Sequence, residues 1–303
     1  MTPATGRSAA GEEGLPVVWI DGRRLPAAGP HVSARDRGLT LADGVFETVR
    51  LRGGRGFRLD RHLTRLGGAL AALQIPQPSD LRAWVLEAAA VAGGADASLR
   101  LTVTRGLGAG GLAPGAARPP TVIVTVGPLP PFPPTVYQVG LSAHVASGRR
   151  NERAMTAGLK TLAYTDAVAA LLEATRAGAD DALLLDTEGH CSEATASNLF
   201  VWTGSLLVTP PVSCAALPGI TRATVLELAA ALGVPAAERA VELEELRAGK
   251  EAFLTSTLRQ IAPLVRVDSQ PVGDGAPGAL TREFADAYTA LVARECRAPR
   301  DRP

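Results

Sequence analysis

The run PLPPFPP at residues 128–134 sets the organisation of this chain. Five prolines in seven residues fit neither a helix interior nor a central strand, because each removes an N–H donor and fixes φ. The run therefore reads as an extended linker over 128–135, between an N-terminal domain at 15–127 and a C-terminal domain at 136–303. At 303 residues the chain is long enough for two such domains.

Upstream of the linker, VVWI (17–20), an Asp21-Gly22 turn and RRLP predict a hairpin. The strand VFETVRLR (45–52) turns at Gly53-Gly54, and Asp60 is placed to cap a helix whose Leu63, Leu66, Leu70 and Leu73 share one face. A second helix starts near Ser79, followed by strands LRLTVTR (99–105) and TVIVTV (121–126). Residues 1–14 are small and polar and read as a frayed terminus. Downstream, the pattern predicts a strand near Tyr137–Ala143, a helix running to about Ala177, and strands at 182–186, 198–202 and 206–209. A helix from Thr221 to Leu232 stops at Gly233, and a strand at 252–256, the segment APLVRV and a helix over 279–297 complete the chain. The class is α+β (mixed α/β), with no internal repeat.

Composition narrows the function. A net charge of +1 with 46% hydrophobic and 20% charged residues gives no basic footprint for nucleic acid and no acidic, disordered character. No apolar run is long enough to span a membrane and the N-terminus lacks a signal-peptide pattern, so the expected location is the cytoplasm. Cys191, Cys214 and Cys296 are odd in number and widely spaced, and the four histidines do not cluster with them, so neither a disulfide framework nor a metal site is expected.

Chemistry is concentrated in three places. Lys160, in MTAGLKTLAYTDAVAAL (155–171), is one of two lysines in a chain with twenty-nine arginines. Arginine supplies charge equally well, so a retained lysine suggests an amine that can lose its proton and attack a carbonyl. In ALPGITRATVLELAAALG (216–233), Pro218 and Gly219 turn the chain and leave the N–H groups of Ile220 and Thr221 free at a helix start, a seat for phosphate. In GHCSEATASNLF (189–200), Glu193 sits between two strands beside small residues that leave room for a flat ring, whose nitrogen a carboxylate keeps protonated. Singly, each has a plainer reading: a solvated lysine, a capped helix, an exposed loop glutamate. A fourth pattern, Gly106, Gly108 and Gly111 after Arg105, imitates a dinucleotide fingerprint. It is followed by LAPGAARPP rather than a helix, and reads instead as a flexible loop over a site.

Lysine, carboxylate and phosphate seat together suit pyridoxal 5'-phosphate, and the chain resembles the class IV aminotransferases, the fold type IV pyridoxal-phosphate enzymes. That family includes branched-chain and D-amino acid aminotransferases and 4-amino-4-deoxychorismate lyase. The resemblance runs from IDGRRLP at residue 20 to IAPLVRVD at 268. It implies a smaller N-terminal α/β domain and a larger C-terminal domain with the cofactor between them. By this resemblance Lys160 of GLKTLAY holds the cofactor as a Schiff base and moves the substrate proton. Tyr164 lies near the cofactor's phenolic oxygen and Glu193 at its pyridine nitrogen. Arg65 of RHLTRL, Ile220 and Thr221 of LPGITR, and Ser256 and Thr257 of LTSTL bind the phosphate.

The resemblance implies an aminotransferase that carries an amino group from an amino acid or amine to a 2-oxo acid, and a homodimer with no nucleic-acid or membrane partner. Its alternative is the lyase, which forms 4-aminobenzoate and pyruvate. LADGVFET (41–48) is similar to D-amino acid enzymes and the lyase, whereas TPP followed by ALPGITR is similar to branched-chain enzymes. Arg100 falls near the arginine of the branched-chain Y-x-R motif, with Ser98 in place of its tyrosine. Arg100 and Arg105 are candidates for the substrate carboxylate, and a structural role at a strand end is as well supported for each.

Overall fold

Asp21 and Gly22 take positive φ, 49° and 78°, as a two-residue hairpin turn requires, and fold β1 (Val17–Ile20) onto β2 (Arg23–Leu25). The computed structural model describes residues 16–297 except 27, 30, 94, 116 and 117, so the segment read as a frayed terminus lies outside the described residues. Helix α1 (Arg37–Leu41) precedes β3 (Gly44–Arg52) and β4 (Arg55–Gly56). Helices α2 (Leu59–Ala72) and α3 (Leu81–Ala90) lead to β5 (Ala97–Thr104) and β6 (Thr121–Pro128). The strands form one antiparallel sheet in the order β2-β1-β6-β5-β3-β4. Period-two alternation puts Leu99, Leu101 and Val103 of β5 with Val122, Val124 and Val126 of β6 on a buried face, packed with Leu66, Leu70 and Val85 of the helices.

After a single turn of helix, α4 (Thr135–Gln138), the chain enters β7 (Leu141–Arg150) and α5 (Thr165–Arg176). Four strands follow, β8 (Asp181–Asp186), β9 (Cys191–Ala194), β10 (Asn198–Trp202) and β11 (Leu207–Thr209). Then come α6 (Ile220–Leu232), β12 (Ala236–Glu238) and α7 (Leu243–Ala248). The chain ends with β13 (Glu251–Ser256), β14 (Gln260–Val267), β15 (Gln270–Pro271) and α8 (Ala279–Glu295). The second sheet runs β12-β11-β10-β13-β14-β7-β8-β9, and β9 also pairs β10 through Glu193 and Asn198. That last pairing closes strands β7 to β10, β13 and β14 into a ring around Leu183, Leu199, Val201, Leu254 and Leu264. Outside the ring, α6 and α8 cover Phe200 and Phe253 with Val225, Phe284 and Tyr288.

Three sequence expectations need correction. Asp60 does not cap α2: the helix starts at Leu59, and Arg58 occupies the cap position at φ 55°. Arg58 is drawn out of helical geometry by ion pairs to Glu227 of α6, at 2.7 Å, and Glu295 of α8, at 3.0 Å, so it ties the two halves of the chain together. Residues 137–143 do not form one strand, because Thr135–Gln138 coil into α4 and Gly140 turns at φ 91° before β7 begins. Nor does Glu193 lie between strands; it is the third residue of β9.

Helix α8 is capped from outside. Gly278 has no side chain to offer, and the Glu251 carboxylate of β13 accepts the N–H groups of Leu280 at 3.1 Å and Thr281 at 2.8 Å. A Cβ on Gly278 would lie 1.8 Å from that carboxyl carbon. Glu251→Ala is expected to destabilise the protein by about 1–2 kcal/mol, since it removes a cap and a charge favourable to the helix dipole. Urea denaturation tests this; an unchanged midpoint would mean that water replaces the cap at no cost.

Candidate active site

Lys160 belongs to the segment joining β7 to α5, and that segment is bonded to the edge of β3 in the other sheet. The Phe46 N–H donates to the Lys160 carbonyl at 3.0 Å, and the Leu162 N–H donates to the Gly44 carbonyl at 3.0 Å. The approach is close enough to require glycine at 44, where a Cβ would meet the Val103 carbonyl oxygen at 2.6 Å and Leu162 Cδ1 at 2.9 Å. The Lys160 amine donates to Tyr164 Oη at 3.0 Å, four residues on. It also lies 4.4 Å from the centroid of the Phe46 ring, against which Tyr164 packs edge-on. Among the described residues Tyr164 is its one hydrogen-bond partner, so the amine is oriented without being neutralised by a carboxylate.

Glu193 stands where the second sheet closes, and both its oxygens are engaged. Oε2 accepts from the Leu217 N–H at 2.9 Å and the Asn198 side-chain amide at 3.2 Å, while Oε1 meets the Arg150 guanidinium. Asn198 also donates to the Leu217 carbonyl at 2.8 Å, fixing the loop before α6 against β10. Gly219 is needed there, because a Cβ would fall 2.0 Å from Asn198 Oδ1.

That loop delivers the start of α6. Gly219 is the N-cap, with φ −67° and ψ 138°, and no side chain caps the helix, so the N–H groups of Ile220 and Thr221 have no intrahelical acceptor. Thr221 Oγ1 lies 3.4 Å from the buried Tyr288 hydroxyl. Arg65 reaches the same place from α2: its Nη1 donates to the Pro218 carbonyl at 2.8 Å, and its Nε and Nη2 donate to Glu47 at 2.7 and 2.8 Å. Glu47 is fully buried and also takes a 2.7 Å bond from His62 Nδ1. Burial alone would raise its pKa, but the hydrogen bonds and charges of His62 and Arg65 outweigh burial and hold it at about 2.

These groups share a cavity of about 380 Å³ whose wall includes Lys160, Tyr164, Glu193, Arg65, Thr221 and the Ser256-Thr257 pair at the end of β13. Arg100 also lines it, with its guanidinium carbon 3.8 Å from the Phe46 centroid; burial lowers its pKa, and Tyr164 opposes that in part. Arg105 does not line the cavity. Its donors are spent on Asp43 at 2.7 Å and on the carbonyls of Gln74 and Leu73 at the end of α2, at 3.0 and 2.7 Å. The glycine-rich loop after Arg105 contributes none of the described lining residues either. Buried Arg37 binds it, donating to the carbonyls of Gly111 at 3.0 Å and Leu112 at 2.9 Å.

Sequence reasoning missed Glu47, His62, Arg150 and Asn198. Only Glu47 left a signal: Val45, Glu47, Val49 and Leu51 share the inward face of β3, and a carboxylate in an apolar row demands a partner. The cavity suits pyridoxal phosphate on two further grounds. The Thr255 hydroxyl on its wall is buried without a partner, and the unpaired α6 N–H groups and Arg65 give an anion both hydrogen bonds and positive charge.

Residues 44–267 match the family described as Amino-transferase class IV. The D-alanine aminotransferase of Bacillus licheniformis is 33% identical over 281 residues, covering 92% of this chain and 98% of the relative. Among solved structures, the 4-amino-4-deoxychorismate lyase of Pseudomonas aeruginosa superposes with a TM-score of 0.80 at 35% identity, over 90% of this chain and 98% of that one. A hypothetical aminotransferase from Mycobacterium tuberculosis, solved in its PLP-bound form, gives 0.81 at 28% identity, over 92% and 99%.

Proposed function

The chain belongs to the class IV aminotransferase family, whose cofactor is pyridoxal phosphate, and from that premise we propose the roles of its residues. The observation that carries the reading is that the Lys160 amine, whose one hydrogen-bond partner among the described residues is Tyr164, faces the same cavity as Glu193 and the open start of α6. Pyridoxal phosphate, when bound, supplies a carbonyl for amine exchange and a ring that takes up the electron pair left when a bond at the substrate α-carbon breaks. Ile220, Thr221, Ser256, Thr257 and Arg65 bind its phosphate, and Glu193 holds a proton on its ring nitrogen.

Lys160 Nζ would hold the cofactor carbonyl, and as a free amine it would accept the substrate α-proton. Tyr164 Oη keeps Nζ on station through its 3.0 Å bond. Arg150, Asn198 and the Leu217 N–H together hold the Glu193 carboxylate in place, where it can face a ring nitrogen. Arg100, a cavity guanidinium stacked on Phe46, binds the substrate carboxylate. The donor leaves as its carbonyl product, a 2-oxo acid where the donor is an amino acid, and a 2-oxo acid takes the amino group in the return half-reaction.

Borohydride reduction of the holoenzyme is expected to fix one cofactor at Lys160, read by peptide mass. A half-reaction screen across D-amino acids, L-amino acids and (R)-amines then names the donor through loss of the cofactor's absorbance band. The second reading, the lyase, is favoured by the 35% identity to the Pseudomonas aeruginosa enzyme. Pyruvate released from aminodeoxychorismate with no amino acceptor would decide for it. If no donor in the screen changes the band and no pyruvate appears, both readings fail.

The same reading carries a homodimer, supported by the exposed apolar side chains Val168, Leu171 and Leu172 on one face of α5. It also carries a cytoplasmic location. The three cysteines are buried and unpaired, as in a reducing compartment, and among the described residues no helix is long and apolar enough to cross a membrane.

A further inference from the structure

At the turn of the β8–β9 hairpin, three donors gather that the chemistry of the cavity does not use. The Asp186 carboxylate, the His190 imidazole and the Cys214 thiol each offer a ligand atom, and these atoms lie within 4.8 Å of one another. None of the three lines the cavity. Asp186 ends β8, and its Oδ1 is held by the N–H groups of Glu188 at 3.0 Å and His190 at 2.8 Å. That leaves Oδ2 facing His190 Nδ1 at 3.3 Å. Cys214 arrives from the 3-10 turn Val212–Cys214, in the segment that continues to Leu217 and Gly219. Asp186 and Cys214 are buried, and the imidazole is partly exposed.

The surroundings suit a cation. The other imidazole nitrogen, Nε2, lies 3.3 Å from the Glu242 carboxylate. A carboxylate behind a histidine in this way fixes the ring and its tautomer and makes the opposite nitrogen a better ligand, as around zinc. The Asp186, Glu188 and Glu242 carboxylates lie 3.3, 3.9 and 3.3 Å from the His190 ring nitrogens, and negative charge gathered in this way attracts a divalent cation.

We propose that Asp186, His190 and Cys214 are ligands of a divalent metal of the zinc class, which clamps the hairpin carrying Glu193 to the loop leading into α6. Sulfur, imidazole nitrogen and carboxylate oxygen on one centre select zinc over magnesium or calcium. Tetrahedral zinc sets its donors roughly 3.3–3.7 Å apart. Asp186 and His190 already meet that spacing at 3.3 Å, and Cys214 needs to close by about an ångström at most. Binding forms a Zn–S bond and releases the thiol proton to solvent. The fourth position is left to water or to Glu188, whose carboxylate is 3.9 Å from His190 Nδ1. Glu193 sits three residues beyond His190 on the same hairpin and Leu217 three beyond Cys214, so an occupied site stiffens the mounting of the carboxylate and of the 217–219 loop together.

The test uses the cofactor-loaded protein, stripped with a chelator and reloaded with zinc. One zinc per chain is expected to be retained after dialysis, with X-ray absorption at the zinc edge showing one sulfur among nitrogen and oxygen neighbours. Cys214→Ser should remove the sulfur signal and weaken zinc binding at least tenfold, and Glu242→Gln should weaken it about tenfold. Cys296→Ser should change neither. Zinc should also raise the thermal midpoint of the wild type but not of His190→Ala, which serves if Cys214→Ser fails to fold. Failure to retain zinc, zinc bound without sulfur, or a sulfur signal that survives Cys214→Ser each overturns the proposal.

Discussion

Lys160→Arg is expected to lower turnover by at least about 10⁴-fold, the upper end of what a positioned general base supplies, while the protein remains folded. Arginine keeps the positive charge that packs against the Phe46 ring 4.4 Å away. Its guanidinium stays protonated and can neither hold a cofactor carbonyl covalently nor accept a proton from the substrate α-carbon. The backbone of residue 160 is fixed by its bonds to β3, which do not depend on the side chain. The open start of α6, proposed above as the phosphate seat, is likewise untouched, so cofactor should still bind, but reversibly. Three readouts separate the cases: circular dichroism for the fold, cofactor retained on gel filtration against dialysis, and borohydride labelling at residue 160. Turnover within tenfold of the wild type would remove Lys160 from the chemistry.

Glu47→Gln is expected to be the most damaging change outside the reacting groups. One fully buried carboxylate holds Arg65 by two bonds and His62 by a third. The amide keeps the shape but loses the charge, leaving Arg65 without its counter-ion. Breaking a buried pair from one side costs about 3–5 kcal/mol, and a loosened Arg65 weakens cofactor binding as well. The pH dependence has a definite sign. The carboxyl titrates near 4.5 unfolded and at about 2 folded, so its stabilisation is complete above the unfolded value and is lost as pH falls from 4.5 towards 2. The amount lost over that window is about 3 kcal/mol. Urea denaturation of the wild type should steepen across it, and Glu47→Gln should lack that component. Parallel pH profiles would show that Glu47 is not held ionised by the pair.

The parts of the fold that follow from local chemistry were legible. The runs at 99–105 and 121–126 exposed β5 and β6, leucine spacing exposed α2, and Gly233 marked the end of α6. Pro218-Gly219 pointed to the open helix start at Ile220. What escaped depends on partners remote in sequence. Arg58 leaves helical geometry for carboxylates at 227 and 295, Glu251 caps a helix nearly thirty residues on, and Arg150 and Asn198 find Glu193 only once the second sheet closes. Arg105 shows the opposite failure: a cation at a strand end in the right region, bound instead to the end of α2.

The main-chain bonds between β3 and the Lys160 segment carry no side-chain information. Phe46 and Thr48 face the cavity from the same strand whose peptide groups register the lysine. A substitution at Thr48 would change the cavity wall while the backbone of residue 160 keeps its bonds to β3. A scaffold of this kind separates the choice of substrate from the reaction performed on it, and so lets one catalytic apparatus be inherited by enzymes with different diets.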